Sequence, residues 1–323
     1  MPAETPEYSF SRYLTAKRTV DERALNKDVL ERLRRELAGA SAEPLRIVEL
    51  GAGLGVMVAR LVDWGVVRRA TYVLLEMDAG LLAEARHYLL AWAGARGHVL
   101  VESPDALLVT GANGLELRIE PKCVKVEDYL AAHEDLGPLD LLVASAFLDL
   151  VDLGVMTPRL VAGAHAPRLF WFSINFDGET VFEPAHPHDA ALLAVYHRSM
   201  DERVRGGHPA GDSRTGRHLF EHLRHAGATV LAAGASDWLV WPTAGSYPAD
   251  EAYFLHHLVH TIDAELVQHA DVDRANLTEW VALRHAQIER GELVLVAHQL
   301  DFLGRGGAHR PLAVAAGVPE RKR

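Results

Sequence analysis

The stretch Glu49-Leu50-Gly51-Ala52-Gly53-Leu54-Gly55 decides the fold of this chain, because it joins a short apolar strand to a helix. Leu45 to Leu50 is the predicted strand, and Val56 to Trp64 is the predicted helix. Glycine is needed where the backbone turns tightly and where a ligand must approach without meeting a Cβ atom. The stretch therefore predicts a ligand-binding loop in an alternating α/β fold.

The spacing of the glycines separates this loop from two other nucleotide-binding loops. A dinucleotide-binding fold prefers G-x-G-x-x-G/A, but Val56 stands at the last position and the third glycine, Gly55, comes one residue early. A Walker loop needs Gly-Lys-Ser/Thr, which the stretch lacks. An acidic residue two positions before G-x-G-x-G is the pattern of class I S-adenosylmethionine-dependent methyltransferases, and the stretch resembles motif I of that superfamily.

Two later acidic stretches extend the resemblance. Leu74-Leu75-Glu76-Met77-Asp78 places a carboxylate at the end of the second predicted strand, where its two oxygens could accept two adjacent hydroxyls. By resemblance, Glu76 binds the ribose and Met77 or its neighbour packs on the adenine. The resemblance also places Glu127 or Asp128, after the presumed third strand near Val124 to Val126, beside the adenine amine.

The stretch from Asp140 to Asp149 resembles motif IV of the superfamily. The resemblance implies that Ala144 and Ser145 lie beside the methionine part of the cofactor and that Asp149 faces the substrate mouth. The implied cofactor-binding residues of motif I are Glu49, Gly51, Ala52, Gly53 and Gly55. The resemblance covers Leu45 to about Pro184.

The order of predicted elements indicates one doubly wound Rossmann-like domain. Apolar runs separated by helices are typical of a parallel sheet covered on both faces. Resemblance implies seven strands in the order 3-2-1-4-5-7-6, with Thr229–Trp241 and Glu292–Leu303 as the closing antiparallel pair. We expect an N-terminal arm and helix over 1–40, and a methyltransferase domain over 41–323 with helical insertions at about 186–227 and 248–291.

The arm is predicted to be irregular up to Arg18, with a helix beginning at the capping box Thr19-Val20-Asp21-Glu22. Tyr13, with Lys17 and Arg18, is a candidate lid that donates to the methionine carboxylate. The alternative is a tethered arm that only covers the sheet.

Several further residues are candidates for contact with a substrate. Asp149, His186 and His188 could act as a general base, although the two histidines also fit an ordinary surface loop. Asn175 ends the fifth predicted strand, at the sheet edge where such folds bind ligands. Arg214 and Arg217 could hold an anionic substrate or could belong to a capped helix start.

Composition excludes several classes of partner. A net charge of −11 argues against nucleic acid, and no stretch has the roughly 18 uncharged apolar residues of a membrane helix. The single cysteine, Cys123, fits a reducing cytoplasm, and no signal peptide is predicted. We expect no metal site, since no third ligand is fixed beside the two spaced histidines. A homodimer is compatible with the sequence.

The sequence therefore predicts a cytoplasmic enzyme that transfers a methyl group from S-adenosyl-L-methionine to O, N or C of a small molecule, leaving S-adenosyl-L-homocysteine. One alternative is a non-catalytic protein that binds the same cofactor as a sensor or partner. The other is an NAD(P)-dependent oxidoreductase, which the early third glycine disfavours.

Overall fold

The computed structural model of the chain describes residues 8–38, 44–132, 139–163 and 166–307. Its strands are β1 (Leu45–Leu50), β2 (Arg69–Glu76), β3 (Val99–Glu102), β4 (Leu107–Gly111), β5 (Leu115–Cys123), β6 (Leu141–Ser145), β7 (Leu169–Glu183), β8 (Val204–Arg205), β9 (His208–Pro209), β10 (Thr229–Ala235), β11 (Trp238–Val240) and β12 (Val294–Arg305). Its α-helices are α1 (Phe10–Ala16), α2 (Arg18–Ala24), α3 (Lys27–Ala38), α4 (Val56–Asp63), α5 (Ala79–Ala95), α6 (Val126–Ala132), α7 (Leu153–Val161), α8 (Asp189–Asp201), α9 (Thr215–His225), α10 (Glu251–Leu266) and α11 (Arg274–Glu289).

Ten strands form one mixed sheet in the order β10-β12-β7-β6-β1-β2-β5-β4-β3, with β11 paired to β12. Strands β5, β2, β1, β6 and β7 are parallel, and β12 runs antiparallel to them. The edge strand β10 pairs antiparallel with β12 and therefore runs in the same direction as the parallel strands. The predicted seven-strand order is therefore present, but the sheet has more strands than predicted. Strands β3 and β4 are added at one edge, and the segment predicted as one strand from Thr229 to Trp241 is divided into β10 and β11.

The position predicted for the third core strand is wrong. The strand that pairs with β2 is β5, while Val126 begins helix α6. The sequence Gly111-Ala112-Asn113-Gly114 is typical of a hairpin turn, and β4 and β5 pair on either side of it. Strand β5 is thus both one arm of the hairpin and the outermost strand of the parallel core. After β5 the chain passes directly into helix α6.

Strand β7 is much longer than predicted, because it continues through the segment 178–183 that the sequence suggested was a loop. Its second half pairs with the start of β12, from Glu183 beside Val294 to Thr180 beside Ala297. This extension carries Phe182 into a separate apolar core formed with α8, α10 and α11. The long antiparallel pair therefore supports a helical layer beyond the parallel sheet.

The N-terminal arm is helical rather than irregular. Helices α1 and α2 follow each other directly, so Thr19 lies inside α2 and does not cap it. The next helix, α3, is capped by Asn26, whose side-chain oxygen accepts from the backbone N–H groups of Asp28 and Val29. The apolar residues that predicted this helix, among them Leu33, pack on the sheet. Residues 1–7 of the predicted arm lie outside the described residues.

The helices predicted as insertions have two different positions. Helix α9 packs against α7 and β7 and so covers one face of the sheet, as an ordinary crossover helix does. Helices α8, α10 and α11 instead form the helical layer with α1. Among the helices of the described ranges, none is both long and apolar enough to cross a bilayer.

A cleft at the carboxyl ends of the parallel strands

The main cleft, of about 900 Å³, opens at the carboxyl ends of β1, β2 and β6. It lies near the upper end of the range of about 300–1,000 Å³ for small-molecule sites. Its walls come from the loop after β1, the ends of β2 and β6, the starts of α6 and α7, the arm helices α1 and α2, and the β8–β9 hairpin. The parallel strands thus bring together segments from distant parts of the chain at one edge, where α/β sheets bind ligands.

The loop after β1 presents bare backbone to this cleft. Gly51, Gly53 and Gly55 all have φ between 52° and 67°, the left-handed region that favours glycine. A Cβ on Gly51 would lie 2.6 Å from the ring of Phe147, whereas one on Gly53 would meet only Leu14, at 3.4 Å. Gly51, Ala52 and Gly53 line the cleft, and Gly55 begins α4 beneath it.

Glu76 is held in one orientation beside that loop. Its Oε2 accepts a hydrogen bond from the backbone N–H of Gly53 at 3.0 Å, and its Oε1 accepts from that of Asp78 at 3.0 Å. The side chain is 9% exposed and lines the cleft. Because each carboxylate oxygen can accept more than one hydrogen bond, both can still accept donors from a ligand.

Glu49 lies deeper in the same cleft. Its Oε2 accepts a hydrogen bond from the hydroxyl of Tyr72 at 2.8 Å. Burial raises the pKa of Glu49 to about 8, although the Tyr72 hydroxyl and the charge of Arg60 act in the opposite direction. Near neutral pH this carboxyl is therefore largely protonated, and a cationic ligand group would favour its ionised form.

The arm and α4 also line the cleft with charged residues. Three are basic, Lys17, Arg18 and Arg60, and one is acidic, Asp21. Lys17 Nζ lies 3.3 Å from Asp21 Oδ2, and both side chains are buried. Arg60 donates to the backbone oxygen of Arg18 at 2.7 Å, while its buried Nε has no hydrogen-bond partner among the described residues. This end of the cleft therefore offers both signs of charge, as an amino-acid group requires.

The opposite end of the cleft is lined by Met77, Glu127 and Asp128. The Met77 side chain is 62% exposed, and the two acids lie in the first turn of α6. Ser145 lines the cleft at the end of β6, whereas Ala144 is fully buried behind it. An apolar surface beside two carboxylates suits a flat base that carries an exocyclic amine.

Asp149 lies in a short 3₁₀ helix, Leu148–Leu150, between the cleft residues Phe147 and Leu150. Its Oδ1 is buried and has no hydrogen-bond partner among the described residues. Burial raises the pKa of this carboxyl, and the charges of Lys17 and Arg203 act in the opposite direction. The cleft is lined by its neighbours Phe147 and Leu150 and not by Asp149 itself, so the carboxyl lies behind the cleft wall.

Two residues predicted at the site lie elsewhere. Tyr13 turns away from the cleft and stacks on His257 and Phe254, because the helical arm directs it into the apolar layer. Asn175 is fully buried in β7, where its side-chain nitrogen donates to two backbone oxygens. The lengthening of β7 explains this position, since Asn175 is no longer at the end of the strand.

The two predicted histidines lie in the helical layer. The backbone of His186 donates to Asp189, and the backbone of His188 donates to the ring of His186. Asp189 in turn holds the fully buried Arg284 through two hydrogen bonds of 2.5 and 2.6 Å. These histidines therefore lie at the N-terminus of α8, beside a structural ion pair.

The two predicted arginines lie at the start of α9. Arg217 is committed to Asp177, with its Nε 2.8 Å from Oδ1. Arg214 precedes the helix, and its backbone donates to Asp212. Among the described residues, no group of three His, Cys, Asp or Glu side chains could hold a metal ion.

Sequence reasoning missed several residues of the cleft. Arg60 is a single charged residue within the apolar start of α4, and that isolation is a signal that could have identified it. Phe10, Leu14 and the segment 205–210 carry no such signal, because they reach the cleft only through the packing of the arm and the hairpin.

Comparison with known proteins finds likeness only among solved structures. No family model matches the chain, and no curated protein matches it. A methyltransferase from Thiobacillus denitrificans in complex with S-adenosyl-L-homocysteine is 11% identical, with a TM-score of 0.44 over 93% of this chain and 100% of that one. A mycolic acid cyclopropane synthase complexed with S-adenosyl-L-homocysteine is 11% identical, with a TM-score of 0.38 over 85% and 83%.

The cyclase SpnF is 14% identical, with a TM-score of 0.37 over 93% of this chain and 94% of that one. The three similar structures thus comprise a methyltransferase, a cyclopropane synthase and a cyclase, all at TM-scores below 0.5. The activity of this chain therefore has to be argued from its own cleft.

Proposed function

We propose that the chain is an S-adenosylmethionine-dependent methyltransferase that acts on a small molecule. The observation that carries the proposal is the position of Glu76, fixed by two backbone hydrogen bonds beside a loop without side chains. Both lie at the carboxyl edge of the parallel sheet, in a cleft large enough for a nucleoside and a second molecule.

The residues present fit this cofactor along its whole length. Glu76 would accept the two ribose hydroxyls, and the bare backbone at Gly53 would let the adenosyl group approach closely. Met77 would cover one face of the adenine, and Glu127 or Asp128 would accept from its amine. The buried Nε of Arg60, which lacks a partner in the described chain, supports an anionic ligand group at the other end.

At that end, we assign the amino-acid group of the cofactor to the mixed charges. Glu49 and Asp21 would accept from the ammonium, and Lys17, Arg18 or Arg60 would pair with the carboxylate. The ammonium would favour the ionised form of Glu49, whose proton would pass to solvent, because a nearby positive charge lowers a carboxyl pKa that burial has raised.

When bound, the cofactor supplies an activated methyl group on a sulfonium. The tasks left to this chain are alignment of the acceptor and exclusion of water. Phe147 lies against Gly51 of the cofactor loop, and Leu150 and the α1 residues Phe10 and Leu14 add further apolar lining. Asp149 is our candidate for accepting a proton from an acceptor that must lose one, because its carboxyl oxygen is buried without a partner in the described chain.

The proposal is tested by calorimetry with S-adenosyl-L-homocysteine. Glu76→Ala should weaken binding by about a hundredfold or more, because two ribose hydrogen bonds and the support of Gly53 are lost together. Glu116→Ala is the matched control, since this exposed carboxylate on β5 is far from the cleft and should leave binding unchanged. Wild-type protein that binds NADH and not S-adenosyl-L-homocysteine would overturn the proposal.

A second measurement separates an enzyme from a sensor. The wild-type chain is incubated with methyl-labelled cofactor and a fractionated small-molecule extract. Transfer of label to a small product supports the enzyme, and tight binding with no transfer from any fraction supports the non-catalytic alternative.

Two further proposals concern the domain organisation of the chain and its location in the cell, and each rests on a single observation. The contacts of α1 with α10 join the arm to the helical layer, so we propose that 1–40 and 41–323 act as one unit. The segments 1–7 and 308–323 of that proposal lie outside the described residues. A cytoplasmic location is proposed from the single cysteine.

A further inference from the structure

The cleft has a second half that the cofactor motifs do not explain. We give the name acceptor half to a group of lining residues outside those motifs: Phe10 of the arm, Leu150 after β6 and the hairpin residues of 205–210. We infer that this half binds a methyl acceptor with an apolar body and an anionic group, and that Arg205 and His208 recognise the anion. The inference rests on the proposed function, because it assigns the acceptor of that reaction.

The hairpin places two basic side chains directly opposite each other. Strands β8 and β9 are antiparallel, and Arg205 is the ladder partner of His208. The turn between them is Gly206-Gly207, with φ of 58° and 84°, which matches the left-handed backbone of a tight hairpin turn. Side chains of directly opposed residues lie on one face, with Cβ atoms about 5 Å apart. Both residues line the cleft, so both side chains belong to its wall.

These two basic groups have no carboxylate partner among the residues that the structure describes. Across the described ranges 8–38, 44–132, 139–163 and 166–307, no acidic oxygen is found within 4 Å of either one. Other arginines of this acidic chain are paired, such as Arg23 with Glu251 and Arg96 with Asp63. An anion between them could accept a charge-assisted hydrogen bond from the Arg205 guanidinium and a hydrogen bond from an imidazole N–H of His208.

The remaining surface of this half is apolar. Phe10 is 57% exposed and Leu150 is 37% exposed, although both lie inside a concave cleft. An apolar ligand would remove this area from water, which is the main source of affinity in such sites. We therefore expect an amphipathic ligand whose apolar body contacts Leu150 and whose anionic group binds Arg205. A neutral or cationic ligand would leave Arg205 without a partner of opposite charge.

Two dyes test the inference without requiring methyl transfer. The anion 8-anilinonaphthalene-1-sulfonate and the neutral N-phenyl-1-naphthylamine share an apolar ring body and differ in the sulfonate. Their affinities are measured by fluorescence with saturating S-adenosyl-L-homocysteine, so that the cofactor half is filled. Arg205→Gln should weaken the anionic dye by about tenfold and the neutral dye by less than about twofold. The double variant with His208→Gln should extend the loss for the anionic dye only.

Two further variants locate the dyes. Leu150→Ser should weaken both dyes, because it removes apolar surface that both would use. Arg274→Gln is the matched control, since this exposed arginine at the start of α11 is outside the cleft and should leave both affinities unchanged.

The inference is overturned if the wild type binds neither dye, or if Arg205→Gln changes the two affinities equally or not at all. A failure of the proposed function is recognised separately. In that case S-adenosyl-L-homocysteine does not bind the wild type in calorimetry, and the dye comparison is made without it.

Discussion

The two halves of the cleft are built in different ways. The cofactor half is centred on the contiguous stretch from Glu49 to Gly55, and its side chains are fixed by hydrogen bonds to the backbone or to buried groups. The acceptor half is assembled from Phe10, Leu150 and Arg205, which are far apart in the chain and exposed. The first half therefore depends on backbone shape, and the second depends on which side chains the fold brings together.

This difference predicts different tolerance to change. A loop in left-handed conformation beside a packed ring leaves no room for a side chain, so a single methyl group affects both folding and binding. An exposed side chain on a hairpin can be replaced with little effect on the fold. Substitutions in the two halves should thus separate cofactor affinity from acceptor choice.

The largest effect is expected at Gly51. Gly51→Ala combines a φ of 60° with a Cβ 2.6 Å from the Phe147 ring, so it should lower the free energy of unfolding by about 2–5 kcal/mol. S-adenosyl-L-homocysteine binding should fall by more than about a hundredfold, because the loop must move. Urea unfolding and calorimetry measure the two effects.

Gly65→Ala is the matched control for Gly51. Gly65 has a similar φ of 68° but open space where a Cβ would stand. Its substitution should cost about 1 kcal/mol from backbone strain alone and leave cofactor binding unchanged. Equal losses of stability at the two glycines would show that the contact with Phe147 contributes nothing.

A smaller and pH-dependent effect is expected at Glu49, whose pKa burial raises to about 8. Since an ammonium favours the ionised carboxylate, the affinity for S-adenosyl-L-homocysteine should rise between pH 6 and pH 7.5, by up to about tenfold per pH unit. The stability of the free protein should change in the opposite sense. A folded pKa above the unfolded value of about 4.3 contributes stability at low pH, and this is lost as the pH rises through about 8.

Glu49→Gln should flatten both pH profiles, as measured by calorimetry and urea unfolding at each pH. Tyr72→Phe removes the donor that lowers the pKa of Glu49, so it should shift the wild-type binding profile to higher pH. In the Glu49→Gln background the same change should shift nothing, because Tyr72 acts through Glu49. An unchanged profile in Glu49→Gln would assign the pH dependence to another group.

The smallest effect is expected outside the cleft, where helix α1 of the arm meets the start of α10. Arg12 pairs with Asp250 through contacts of 3.0 and 3.1 Å, and its side chain is 57% exposed. Arg12→Gln should therefore lower the free energy of unfolding by less than about 1 kcal/mol. S-adenosyl-L-homocysteine affinity should stay within about twofold of the wild type by calorimetry. A loss of cofactor affinity of more than about fivefold would show that the halves are coupled through the arm.

Much of the fold could be predicted from local patterns. The apolar run before Gly51 predicted β1, and the turn residues from Gly111 to Gly114 predicted the hairpin of β4 and β5. The third core strand was misplaced because the two valines at 124 and 126 resemble a short strand, whereas β5 already completes the pairing with β2. The arm was misjudged because α1 is stabilised by stacking of Tyr13 on α10, a contact invisible to local periodicity.

The sequence by itself determined the glycine loop and the acids at the strand ends, because glycine spacing and a carboxylate after a strand express backbone requirements that act within a few residues. Only the tertiary structure decided the acceptor half. In the folded chain Tyr13 and Asn175 lie outside the cleft, and Arg217 pairs with Asp177. Arg205 and Phe10 line the cleft instead. The physical reason is that a loop conformation is set by its own dihedral angles, whereas the neighbours of an exposed side chain are set by how whole helices and hairpins pack.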